Sequence, residues 1–257
     1  MKFETLIYEK EGGIRIVTLN RPERLNTFNF QLMFELEKVC NEIDEDGEAR
    51  AVILTGAGRG FCAGADVKMI VDSNNTKKPP TGRNTFFSKL EDVKVPVIAA
   101  IHGPCIGGGL ELALCCDFRI ASEGASFGLG EVKLGAIPGG GGTARLPRLI
   151  GIGKAKEFLY FGNRVDAQEA YRIGLVNKVV SPEKLMEEAR NWAAEVAERP
   201  PLSLKMLKDC VNIGMQLDLF GALDYEAKCF ASVANSEDLM EGMRAFAEKR
   251  KPVFKGR

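Results

Sequence analysis

VPVIAAIHGPCIGGGLELALCC, residues 95–116, carries three signals in one short stretch. The run of β-branched and small apolar residues over 95–101 reads as a strand. Gly103 and the triplet Gly107-Gly108-Gly109 interrupt it, and the apolar run from Leu110 to Cys116 reads as a helix. A strand that ends in glycines and passes straight into a helix is the local unit of an α/β protein. The first N–H groups of such a helix have no intrahelical acceptor and carry partial positive charge. Glycine there lets an incoming oxygen approach the backbone closely. Glu111 is the one charged residue in the helix, and apolar neighbours all round it imply burial. By themselves the residues leave Glu111 open between a helix-start acid favoured by the dipole and a group with a chemical task.

Outward from this stretch the same grammar repeats. Strands are expected over 15–19, 51–55 and 118–121, with turns at Gly12-Gly13, Gly56 and Gly103. A helix over 30–43 aligns Leu32, Leu36, Val39 and Ile43 on one face, and another opens near Ala65. The polar segment DSNNTKKPPTGR, residues 72–83, reads as a surface loop within the domain. From about Gly153 the pattern turns helical, over 154–161, 167–173, 182–198, 202–215 and 219–248, with one strand at 176–180. The expectation is an α/β core over residues 1–195 and a helical region over 196–257.

Composition limits the function classes. Of 257 residues, 45% are hydrophobic and 27% charged, as in an ordinary globular chain. Lys+Arg and Asp+Glu balance at 35 each, so no global field favours nucleic acid or an anionic membrane surface. No apolar run approaches a membrane span, and the first residues lack the apolar stretch of a signal peptide. The seven cysteines show no CxxC pair, and Cys115-Cys116 reads as core packing. With a single histidine, His102, a Cys/His zinc site is disfavoured and no metal is expected. Free thiols suit a reducing, cytoplasmic location.

Two further segments place glycines near acids: Gly60-Phe-Cys-Ala-Gly-Ala-Asp66, and residues 127–138 with the glycines at 139–142 after them. The first repeats the strand, glycine, helix order, so Gly64-Ala65-Asp66 is a second place for exposed donors. In the second, Glu131 follows Gly128-Leu129-Gly130 and by itself reads as an exposed loop acid paired with Lys133.

The ordered set LNRPERLN (19–26), FCAGAD (61–66), GGGLE (107–111), residues 127–138 with their GGTAR continuation, and EKRKPVFK (248–255) resembles the enoyl-CoA hydratase/isomerase, or crotonase, superfamily over nearly the whole chain. The resemblance implies a crotonase-like spiral of ββα units with a helical C-terminal trimerisation region, assembling as a homotrimer or a homohexameric dimer of trimers. It implies an oxyanion hole from the N–H groups of Ala65 and Gly108, and Glu111 and Glu131 as catalytic acids. The implied activity is syn addition of water to a 2-enoyl-CoA in fatty acid β-oxidation, with no cofactor beyond the CoA of the acyl-CoA substrate. Residues implied to contact CoA are Arg24, Ala63, Ala65, Asp66, Val67, Lys68, Gly108, Phe246 and Lys249.

Three alternatives are weighed. A double-bond isomerase shares the oxyanion hole, but retention of both glutamates favours hydration. Gly139-Gly-Gly-Gly-Thr-Ala144 fits GxGxxA formally, yet follows no clear strand, and no basic, aromatic stripe supports RNA binding. A hydrolase built on Cys105 and His102 lacks a nucleophile-elbow motif.

Overall fold

The computed structural model describes residues 3–66, 71 and 85–257. Strands β1 (Leu6–Glu11) and β2 (Ile14–Leu19) form an antiparallel hairpin about Gly12, whose φ of 56° suits a residue without a Cβ. The sequence pattern marks β2 and the turn but misses β1, an edge strand whose side chains are mostly exposed. Beside β2, strands β3 (Ala51–Gly56), β4 (Val97–Ile101), β6 (Phe118–Ser122) and β9 (Lys178–Val180) pair in parallel, in that order. β3 and β4 are buried throughout, which is why they read as continuous apolar runs.

Strand alternation sends side chains into two layers. Ile16, Ile53, Ile98 and Ile120 meet Leu185, Ala189 and Ala193 of helix α7 (Leu185–Ala197). The small residues one turn apart on α7 let the helix lie close to the sheet. Val17, Leu19, Leu54, Val97 and Ile101 face the larger core, which receives Leu32, Leu36, Val39 and Ile43 of α1 (Phe30–Glu45). Asn29 caps α1, its side chain accepting from the Leu32 N–H at 2.8 Å.

The spiral shows in a second, three-stranded sheet. After β4 the chain enters β5 (Pro104–Ile106) and then α3 (Gly108–Leu114). β5 pairs in parallel with β7 (Ser126–Gly128), the strand that follows β6. On its other side a parallel bridge joins Cys105 to Cys62, in the segment after β3. The chain segments leaving β3, β4 and β6 are thus stacked in register, with Cys62, Cys105 and Phe127 abreast. Strand β8 (Val165–Asp166) closes this sheet antiparallel to β7.

From residue 201 to 247 the chain is mostly helical: α8 (Pro201–Gly214), α9 (Leu219–Ala234) and α10 (Glu237–Ala247). The stretch of helical pattern expected over 219–248 holds two helices. Ser236 caps α10 by accepting from the Leu239 N–H at 3.1 Å, with Glu237 and Asp238 favourably placed in its first turn. That Ser-Glu-Asp signal is local and was hidden by the surrounding helical periodicity. The helix expected to open near Ala65 falls on residues outside those described. No described helix is long and apolar enough to cross a membrane.

Candidate active site

Two glycine loops come together at the mouth of α3, and Asn26 organises the first. Its buried side chain accepts from the Arg21 N–H at 2.9 Å. It donates to the carbonyls of Ala57, Gly60 and Phe61 at 2.9, 2.8 and 3.1 Å. This ties residues 21–28 to the 60–66 loop, and the backbone continues the tie. Ala63 N–H donates to Leu25, Phe28 N–H to Gly64, and Asp66 N–H to Phe28. In such a parallel bridge the intervening N–H, that of Ala65, faces the opposite side.

The second loop lies on that opposite side. A Cβ added to Gly64, at φ 95°, would stand 3.3 Å from the Gly108 nitrogen. Gly108 is the first residue of α3, so its N–H has no intrahelical acceptor. Among the described residues neither the Ala65 nor the Gly108 N–H has a hydrogen-bond partner. Gly109 permits the approach of the loops: a Cβ there would sit 2.1 Å from the Cys62 carbonyl oxygen. The Phe28 ring backs Gly108 and contacts Phe86 and Phe87 edge-on, forming a buried aromatic wall behind the loops.

Glu111, in the first turn of α3, is 3% exposed. Its Oε1 accepts from the N–H groups of Gly140 and Gly142 at 2.8 and 2.7 Å. Burial raises its pKa, the Gly142 and Gly140 donors oppose the rise, and the like charge of Glu131 adds to it. The tetraglycine stretch therefore cradles an internal carboxylate at the start of α4 (Gly142–Ile150), where a dinucleotide reading would place a phosphate. Sequence reasoning missed Gly140 and Gly142 as site residues. Their signal is the one that selected Gly108, glycine at a helix start.

Glu131 corrects its local reading. It is half-buried, and Lys133 donates instead to Asn163 Oδ1 at 3.1 Å. β7 runs beside β5 with Gly128 opposite Ile106, so the turn just after β7 returns to Gly107. Glu131 Oε1 lies 3.1 Å from where a Gly107 Cβ would be. Its Oε2 is buried with no hydrogen-bond partner among the described residues, and burial raises the pKa. An unpaired buried carboxylate oxygen costs about 1–3 kcal/mol, which favours a protonated group or one awaiting a polar partner.

Of the other expected residues, Ala63 and Asp66 flank Ala65, and Asp66 pairs with Arg21 at 3.2 Å. Arg24 is exposed in the single turn Pro22–Arg24, on the segment Asn26 holds to this loop. Phe246, 87% exposed, and Lys249 lie at the end of α10 and share no hydrogen bond or ion pair with the described loop residues. Val67 and Lys68 fall outside the described residues. His102 contacts the Gly58 carbonyl at 3.1 Å. Cys105 donates to Gly109, and burial pushes its thiol well up, so this pair does not form a nucleophile and base.

A family model described as enoyl-CoA hydratase/isomerase matches residues 9–257. The chain is 45% identical over 254 residues to a short-chain-enoyl-CoA hydratase of Clostridium acetobutylicum, covering 98% of this chain and 97% of that one. It is 41% identical over 257 residues to a crotonyl-CoA hydratase of Syntrophomonas wolfei, covering 99% of each. The crystal structure of an enoyl-CoA hydratase from Bacillus anthracis superposes with a TM-score of 0.92 at 40% identity, over 99% of this chain and all of that one. Motifs, stacked ββα turns and full-length similarity agree, and the chain belongs to the enoyl-CoA hydratase/isomerase family.

Proposed function

We propose that this protein is an enoyl-CoA hydratase that adds water across the C2–C3 double bond of a short 2-enoyl-CoA. One observation carries the reading: two carboxyl groups with pKa values raised by burial stand beside two backbone N–H groups that have no partner among the described residues. The Ala65 and Gly108 N–H groups receive the thioester oxygen and stabilise its charge as it becomes enolate-like, each donor contributing about 10²-fold or more in rate. Gly140 and Gly142 occupy Glu111 Oε1, leaving Oε2 to hold and deprotonate water. The water oxygen bonds to C3 while the π electrons move toward C2 and the thioester oxygen. Glu131, whose burial makes it hold its proton more tightly, delivers that proton to C2. The product is a 3-hydroxyacyl-CoA. Transfer of the proton gained by Glu111 back to Glu131 resets the site, so the step is reversible and consumes one water.

Arg24, Ala63, Asp66, Val67 and Lys68 belong to the CoA-binding side of the same loop in this reading, with Phe246 and Lys249 reaching the nucleotide across a subunit boundary. Exposed apolar residues on α8 to α10, Val211, Phe220, Phe230 and Met243 among them, support an oligomerisation role for residues 196–257, as homotrimer or dimer of trimers. Fatty acid β-oxidation in the cytoplasm is the setting consistent with this chemistry. The test is product analysis on crotonyl-CoA: loss of enoyl absorbance with formation of 3-hydroxybutyryl-CoA is expected. Turnover of a 3-enoyl thioester to a product without a hydroxyl, and none of crotonyl-CoA, would replace hydration with isomerisation.

A further inference from the structure

Arg145, on α4, holds two partners at once. Its Nε and Nη2 donate to Glu91 Oε1 and Oε2 at 2.8 and 2.7 Å, while Nη1 donates to the Gly140 carbonyl at 2.8 Å. Glu91 ends helix α2 (Phe86–Glu91), whose Phe86 and Phe87 form the wall behind the glycine loops. The Gly140 residue gripped through its carbonyl is the same one whose N–H bonds Glu111. Gly141 between the two donors has φ 108°, which strains any residue with a Cβ, and the guanidinium lies directly over it, Nη1 1.9 Å from where a Cβ would stand.

We propose that Arg145, seated by Glu91, is a positioning residue for Glu111: it sets the 140–142 turn so that two N–H groups converge on one carboxylate oxygen and leave the other to water. A planar guanidinium is suited to this because its fork matches a carboxylate while a third N–H is still free for a carbonyl. The arrangement is more than a surface ion pair, whose worth is small. Arg145 and Glu91 side chains are 19% and 31% exposed, and the pair joins elements 54 residues apart. The Arg145 charge also lowers the pKa of Glu111, opposing its burial. Aiming matters because a displacement of about 1 Å at a reacting group can cost on the order of 10²-fold in rate.

The inference rests on the hydratase reading, and wild-type turnover of crotonyl-CoA tests that reading separately. The clamp is tested by the ratio of variant to wild type. Arg145→Met is expected to lower kcat by about tenfold or more with KM within about twofold, because transition-state alignment is lost and substrate contacts are kept. The acidic limb of its kcat profile should move to higher pH, since Glu111 loses a nearby cation. Arg145→Lys keeps the charge but reaches only one partner at a time; it should return the limb to its wild-type position and recover only part of kcat. Wild-type kcat and limb in Arg145→Met, or a loss carried by KM alone, overturns the proposal. Should that variant not fold, Glu91→Gln decides: a severalfold lower kcat at unchanged KM supports the clamp, and wild-type kcat refutes it.

Discussion

Replacing Glu131 by Gln separates catalysis from stability at one site. Glu131 Oε2 is buried without a hydrogen-bond partner among the described residues, and its pKa is raised by burial. In the folded protein the ionised form is disfavoured, so native Glu131 binds its proton more tightly than in the unfolded chain. Between the ordinary carboxylate pKa and the raised native one, the native state holds more protons, and stability from this group falls as pH rises through that window. Above the window the deficit is constant. Glu131→Gln keeps the shape but cannot ionise, so at neutral pH it should leave stability unchanged or raise it by up to about 1 kcal/mol, a fraction of the roughly 1–3 kcal/mol cost of an unpaired buried polar group. Hydration should fall by about 10²- to 10⁴-fold, the range for a positioned proton donor. Urea unfolding at several pH values checks the first part and the crotonyl-CoA absorbance assay the second. A variant that is clearly less stable at neutral pH, or one that turns over normally, would falsify the assignment of an unpaired, catalytic carboxyl.

Glu111 is expected to behave differently, because its Oε1 serves two donors. Glu111→Gln keeps an acceptor for Gly140 and Gly142 and should fold normally while losing about 10²-fold or more in rate, whereas Glu111→Ala orphans two N–H groups and should lose roughly 1–3 kcal/mol for each in a urea melt. Gly109→Ala puts a Cβ 2.1 Å from the Cys62 carbonyl oxygen, a clash with backbone that no rotamer relieves. Expression should give insoluble chain, or a soluble one destabilised by more than about 3 kcal/mol; a stable, active variant would show that the two loops are not packed as described.

The legible part of this protein lies in short-range signals. Leu32, Leu36, Val39 and Ile43 announce α1 by their spacing, and the runs of β3 and β4 announce buried strands, because one helix face or one covered sheet imposes its period on neighbouring residues. Strand β1 is not legible because an edge strand with one buried residue has almost no alternation to read. The break at Ser236 is not legible because cap residues compete with an otherwise continuous helical pattern.

The sequence by itself determined the α/β class, a helix opening out of Gly107-Gly108-Gly109 with spare N–H groups at its start, and, through ordered motifs, the family. Tertiary structure alone decided what surrounds the acids. Glu111 is held by glycines 29 and 31 residues away, and Glu131 was a bland loop acid until the β5–β7 register carried its turn over Gly107. Burial and hydrogen-bond partners shift a carboxyl far more than its neighbours in sequence do, and both are set by which strands lie side by side. Gly140, Gly142 and Arg145 gain their roles the same way, by where the spiral places them.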